Sequence, residues 1–244
     1  MLTFAVVIPV HNEAAFLVPA VEKFRRRLGP LADRVAEIHL VENGSRDESW
    51  ACVQRLVAAG RGQVKGHRLP VSSYGEAVKT GLLAATAGAV SVLESDYLDV
   101  DFFRASVGLL DRGEADLVIA SKRHPEARDL RPWRRRLLTL LFNLGLRAFF
   151  GYPGTDTHGL KTFRTPAARE LCRLSRTGGE AFQTEIVLLA HRLGYRIVES
   201  PLHIRETRKT RISVLRRVPK VLTIVQDIRR SLRRFPRPSA RPNS

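Results

Sequence analysis

"TFAVVIPVHNEAAFLVPAVEKFRRRLGPLADRVAEIHLVENGS", residues 3–45, changes its periodicity twice. The run 3–9 is apolar and β-branched and predicts a strand. Glu13 to Leu28 has the spacing of an amphipathic helix, and "AEIHLVE" (36–42) returns to strand composition. A strand, a helix of this length and a second strand make a right-handed crossover between parallel neighbours.

The same alternation continues outward. "SRDESWACVQRLVAAG" predicts a helix capped by Ser45 and ended by Gly60, and a short strand follows at Val64 to Leu69. "YGEAVKTGLLAATAG" reads as a helix, "AVSVLES" as a strand, "VDFFRASVGLLDRG" as a helix and "ADLVIAS" (115–121) as a strand. The expected class is therefore α/β, with a mainly parallel central sheet flanked by helices. Ligands of such sheets bind beyond the carboxyl ends of the strands. Pro9–Glu13, Glu42–Asp47, Glu94–Asp101 and Ser121–Arg123 all fall there, so four polar loops are expected to share one edge.

The second half is less regular. Pro132 to Phe150 predicts a basic-headed amphipathic helix, with Pro132 suited to its first position. The turn-rich loop "GYPGTDTHG" leads into a short strand, "LKTFR". Helices are expected at 166–174 and 181–193, then a strand in "YRIVESPLHI", then an amphipathic helix over 213–232. Residues 233–244, basic and proline-rich, predict a disordered tail.

At 244 residues, 44% hydrophobic and 27% charged, the chain can bury a full core. No stretch reaches the roughly 18 apolar residues of a membrane span. The N-terminus lacks the basic head of a signal peptide. Two lone cysteines, Cys52 and Cys172, point to a reducing, cytoplasmic setting.

The net charge of +17 is concentrated. Residues 201–244 hold 13 Lys/Arg against Glu206 and Asp227, and Lys122 to Arg136 hold seven against Glu126 and Asp129. Such patches suit nucleic acid, an anionic membrane surface or a phosphorylated ligand. No specific nucleic-acid motif accompanies them, so no specific nucleic-acid partner is expected. The dinucleotide GxGxxG, the P-loop and the GxSxG elbow are all missing.

Against that excess of base, "LESDYLDVD" (93–101) gathers Glu94, Asp96, Asp99 and Asp101 directly behind an apolar strand. Crowded acid suits either a helix N-terminus or a divalent cation.

Seven stretches together resemble the family-2 glycosyltransferases of the GT-A fold, and within them the dolichyl- and polyprenyl-phosphate sugar synthases. They are "VVIPVHNEA", "LVENGSRDES", "YGEAVKTGL", "SVLESD", "ADLVIASKRHP", "DTHGLKTFR" and "GYRIVESPLHIRETRKTR", in the family's order over residues 3 to about 212. The resemblance implies a transferase domain over 1–212. It also implies that Pro9, His11 and Glu13 hold the base and ribose of a GDP- or UDP-sugar. Glu42-Asn43 stand for the family's paired aspartates, and Glu94-Ser95-Asp96 for its Asp-x-Asp, with Glu94 and Asp96 holding Mg²⁺ or Mn²⁺ against the diphosphate. Arg205, Arg208 and Arg211 match a segment that closes over phosphates. Lys122, Arg135 and Thr139 match positions that handle the phosphate of a polyprenyl acceptor.

Departures are visible too. Glu94 carries one methylene more than the usual Asp, and Leu98 replaces a further polar ligand, which leaves Asp99 to ligate or to cap the next helix. The reaction implied is direct inverting transfer of a hexose (mannose or glucose), with Asp96, Arg135 and Arg205 central. Transfer to a sugar or protein hydroxyl is the alternative, with Asp156 or Glu180 as base; a nucleotide-sugar-binding pseudoenzyme is another. Two amphipathic faces suggest peripheral membrane association. One is Leu137, Leu140, Leu141, Leu144 and Ala148, with Thr139, Asn143 and Arg147 forming a polar stripe at four-residue spacing; the other is Val214 to Leu232.

Overall fold

The structure is a computed structural model that describes residues 1–202 and 218–235, leaving aside the side chains of Arg134, Arg135 and 218–222. Among the described residues seven strands form one sheet: β1 (Phe4–Val10), β2 (Val35–Asn43), β3 (Val64–Leu69), β4 (Ala89–Val92), β5 (Leu117–Ser121), β6 (Lys161–Arg164) and β7 (Ile197–Pro201). Their order is β3-β2-β1-β4-β6-β5-β7. Every pairing is parallel except those of β6, which runs against both β4 and β5.

Alternation along β1 shows why the strand is apolar throughout. Phe4, Val6, Ile8 and Val10 enter one core with α1 (Leu17–Leu28), α2 (Ser49–Ala59) and α4 (Val100–Asp111). Ala5 and Val7 enter the other, with α3 (Tyr74–Ala84), α6 (Thr165–Leu174) and α7 (Ala181–Arg192). A strand covered on both faces has no polar side to show. α5 (Trp133–Phe150) and α8 (Val218–Leu232) complete the second face through Leu146, Phe150, Ile228 and Leu232.

The local expectations fare differently. Ser45 does not cap α2: the helix starts at Ser49, and Ser45 Oγ instead accepts the Asn12 amide at 3.0 Å. Asp99 is the cap of α4, its Oδ1 accepting from the Asp101 and Phe102 amides at 2.9 and 3.1 Å. That helix start is what orders Asp99. In α5 the polar stripe is split, with Arg147 exposed and Asn143 turned inward. Asn143 is buried and its side-chain amide donates to the Thr155 carbonyl, while Leu137, Leu141 and Leu144 are 44%, 55% and 51% exposed. Pro132 precedes α5 as its N-cap. Residues 213–217 and 236–244 lie outside the described residues.

One polar cluster lies near the amino ends of the strands, on the edge opposite the site loops. Glu37 accepts from Lys65 Nζ at 2.7 Å, from the Thr86 amide and hydroxyl at 2.7 and 2.8 Å, and from the Ala87 amide at 2.6 Å. Burial would raise its pKa, but these donors outweigh it and lower the value from 4.5 to about 2. His39 Nε2 donates to Glu37 at 3.0 Å, and neutral His39 then accepts from His67 across 3.0 Å. Burial lowers the pKa of both imidazoles.

Both shifts act in the same direction. The unfolded chain takes up protons first, at 6.5 for the histidines and 4.5 for the glutamate, so stability present above those values is lost as pH falls. For Glu37 the loss runs from 4.5 to about 2. Glu37→Gln is expected to cost roughly 1–3 kcal/mol at neutral pH and to flatten the acid limb of the stability curve. Denaturant titration from pH 7 downward measures both effects; an unchanged acid limb would contradict this account.

Candidate active site

The loops after β1 and β2 are zipped together. His11 Nδ1 donates to the Asn43 carbonyl at 2.7 Å, and the Arg46 amide donates to Asn12 Oδ1 at 2.9 Å. Asn12 holds a left-handed backbone with φ of 55°, a conformation Asn tolerates better than most residues. The Glu13 amide donates to Ser49 Oγ at 2.8 Å. Beside this seam lies a cleft of about 1020 Å³ lined by His11, Glu42, Ser45, Arg68 and the 69–72 loop. A second space of about 670 Å³, toward α7 and α8, is also lined by His11, together with Asn43 and Tyr74.

Expected binding residues divide into lining and supporting groups. His11 is exposed on the wall, whereas Pro9 is buried within β1 and Glu13 is 8% exposed. Glu42 is 1% exposed and accepts from the Ser45 amide at 2.5 Å and Arg68 Nε at 3.2 Å. Asn43 is buried, and its side-chain oxygen accepts the Ser73 amide at 2.6 Å, just before α3. Glu42 and Asn43 thus shape the cleft, while Arg68 reaches into it, held over the Trp50 ring at 5.4 Å.

The acidic loop follows β4. Asp96 is exposed, Ser95 is buried, and Glu94 is partly covered beside α3. Tyr74 donates its hydroxyl to Glu94 Oε1 at 2.5 Å. Burial raises the Glu94 pKa, the Tyr74 hydrogen bond opposes this, and the Asp96 charge adds to the rise. Burial likewise keeps the Tyr74 phenol protonated, well above its ordinary range.

Next to this pair stands a group of buried charges. Lys122 Nζ lies 3.3 Å from Asp156 Oδ2, and Asp156 also accepts the His158 amide at 2.8 Å. Burial pushes the Asp156 pKa up, but Lys122 and the His158 amide outweigh it and hold the group ionised. Glu199 in β7 fixes the same loop, accepting the Thr155 and Asp156 amides at 2.5 and 3.3 Å. Lys161 in β6 is 5% exposed and donates to Gly159 O and Gln183 Oε1, each at 2.8 Å. Its burial lowers the ammonium pKa to about 7, against the charges of Asp156 and Glu94.

Tyr74, Arg68, Lys161 and Glu199 escaped the sequence reading, although three of them lie inside or next to quoted motifs. Thr139 meets Arg131 at 3.4 Å on the basic head of α5, which also holds the Arg131–Asp129 ion pair at 2.7 Å. The side chain of Arg135, and all of Arg205, Arg208 and Arg211, lie outside the described residues.

Glu94 and Asp96 offer hard carboxylate oxygens without imidazole or thiolate. No group of three His, Cys, Asp or Glu suited to a metal occurs among the described residues. Such a donor set fits Mg²⁺ or Mn²⁺, which takes few protein carboxylates and completes its shell with phosphate and water.

Comparison with known proteins agrees with this arrangement. Residues 5–172 match the family described as Glycosyl transferase family 2. Proteins named uncharacterized glycosyltransferases, from Mycobacterium tuberculosis (strain ATCC 25618 / H37Rv) and Mycobacterium bovis, are 33% identical over 162 residues. That is 66% of this chain and 69% of each relative. M. tuberculosis glucosyl-3-phosphoglycerate synthase in complex with UDP shares the fold with a TM-score of 0.69 at 21% identity, covering 98% of this chain and 82% of that one. S. aureus TarS 1–349 in complex with UDP-GlcNAc gives 0.64 at 14% identity, covering 96% and 67%.

The mostly parallel sheet with its cleft at the strand ends is the GT-A fold of a glycosyltransferase. The chain belongs to glycosyl transferase family 2.

Proposed function

We propose that this glycosyltransferase moves a hexose from a nucleotide diphosphate sugar to a polyprenyl phosphate at the cytoplasmic face of a membrane, with inversion. The observation that carries the choice of acceptor is α5. Its Leu137, Leu141, Leu144 and Phe149 are exposed, Trp133 is 67% exposed, and Arg128 and Arg136 flank its head. An apolar stripe beside cations suits a lipid carrying a phosphate. By contrast α8 turns Ile228 and Leu232 into the core. Among the described residues no helix is long and apolar enough to cross a membrane, so docking would be peripheral.

The donor would lie in the cleft between His11 and Arg68. A uridine nucleotide is favoured because glucosyl-3-phosphoglycerate synthase of the same fold is seen with UDP and Mn²⁺ or Mg²⁺. Glu94 and Asp96 would hold the cation, which when bound supplies charge for the leaving diphosphate.

Asp156, paired with Lys122 and held ionised at low pKa, is a weak base for a hydroxyl acceptor. A phosphate monoester carries roughly −1.5 to −2 charges near pH 7 and needs no base. The task left to the protein is to aim it and balance its charge, to which Lys122 and the basic head of α5 are suited.

A panel of UDP- and GDP-sugars against a polyprenyl phosphate, 3-phosphoglycerate and a free alcohol tests this reading. Transfer to the polyprenyl phosphate with an inverted anomeric centre is expected. Efficient use of 3-phosphoglycerate or the alcohol instead, or a retained centre, would overturn it. The chain is also expected to sediment with anionic but not neutral vesicles, reversibly with salt. Leu141→Asp combined with Leu144→Asp should abolish sedimentation while the enzyme stays folded.

A further inference from the structure

We infer that Tyr74 is a positioning residue for the metal-bound donor: it fixes the Glu94 carboxylate from the start of α3, the same helix end that Asn43 holds from the nucleotide side. This rests on the reading of Glu94 and Asp96 as metal ligands.

The geometry is specific. One oxygen of Glu94 is taken by the Tyr74 hydroxyl at 2.5 Å, which leaves the other for a cation. A glutamate has three side-chain torsions to immobilise, and a hydrogen bond on its far oxygen does that before the metal arrives. The anchor itself is rigid. Ser73, next to Tyr74, donates its amide to Asn43 Oδ1 at 2.6 Å and accepts the Gly179 amide on its hydroxyl at 3.4 Å. On the other side, a Cβ on Gly75 would lie 2.7 Å from both Gly179 O and Phe182 Cβ, so the helix end has no room to shift.

The pairing also accounts for the extra methylene at position 94. An aspartate there is a shorter arm and gives up the tyrosine. The dipeptide Ser73-Tyr74 thereby joins the loop that carries the cleft wall to the acid that faces the diphosphate.

Mn²⁺ affinity in the presence of UDP, read from the electron paramagnetic resonance of free Mn²⁺, tests this without relying on turnover. Tyr74→Phe keeps the ring and is expected to weaken Mn²⁺ binding about tenfold, the lower end of the usual effect of a ligand's hydrogen-bond partner. The apparent KM for Mn²⁺ should rise while kcat at saturating Mn²⁺ recovers. In a Glu94→Asp background, adding Tyr74→Phe should change nothing further, because the bond is already gone.

An unchanged Mn²⁺ affinity in Tyr74→Phe, or the same loss in both backgrounds, would overturn the inference. Glu94→Gln separates it from the reading beneath it. If Glu94→Gln binds Mn²⁺ normally, the metal assignment fails; if Glu94→Gln weakens binding and Tyr74→Phe does not, only the role of Tyr74 fails. Should the Phe variant melt early, Glu94→Asp removes the same bond from the opposite partner and keeps the comparison.

Discussion

Asp96→Asn is expected to lower turnover roughly a thousandfold, equivalent to about 4 kcal/mol of lost transition-state stabilisation, while leaving the thermal melt in place. Asp96 is exposed on the loop after β4 and lies outside both hydrophobic cores, so the substitution leaves the packed layers untouched. Asparagine keeps its shape and removes the negative charge that a hard cation requires. The loss should therefore appear in sugar transfer and in Mn²⁺ affinity together. Full activity in excess chelator, or an Asp96→Asn enzyme with normal kcat, would end the metal-dependent reading.

Gly159→Ala is expected to have the largest effect on stability, more than about 3 kcal/mol. An added Cβ would sit 1.8 Å from the Ala120 carbonyl oxygen and 2.9 Å from its carbon, all of it backbone. That backbone cannot yield, because the Ala120 amide donates to Leu160 O at 2.8 Å where β5 meets the start of β6. The loop just before it presents Asp156, and Lys161 just after it donates to the Gly159 carbonyl, so activity should fall with stability. Gly145→Ala is the control. Nothing lies within 4 Å of a Cβ there, and in mid-helix the change should be neutral or stabilise by about 0.5–1 kcal/mol. Denaturant unfolding of the two variants beside the parent settles the contrast; equal midpoints would contradict it.

Much of the donor side was legible in the linear chain. Continuous apolar runs alternating with helical spacing specify a parallel sheet, and strand ends carry the site loops, so Glu42, Glu94, Asp96 and Lys122 fell on one edge as expected. The positions of individual side chains were less legible. Asn43 stands in the motif for the second of the paired aspartates, and nothing in the motif tells that its side-chain oxygen holds the Ser73 amide. Ser45 reads as a helix cap, yet it braces Asn12 across the seam. Both partners are some 30 positions away along the chain, and no local pattern names them.

The sequence by itself determined the α/β class, the family, the acidic pair and the concentration of positive charge, because periodicity, composition and short-range motifs are local properties. Only the tertiary structure decided which face of each helix is covered. In α5 both the leucine face and the polar stripe are legible, but the structure alone shows that Asn143 is satisfied by the Thr155 carbonyl and that Leu137, Leu141 and Leu144 are left outside. An amphipathic pattern has two faces, and the choice between them belongs to whatever packs alongside. The same holds for Tyr74, Lys161 and Glu199. Each is an ordinary residue within its own segment, and each acts at the site through a partner brought close by the sheet, with Glu94 20 residues from Tyr74 and Thr155 44 from Glu199.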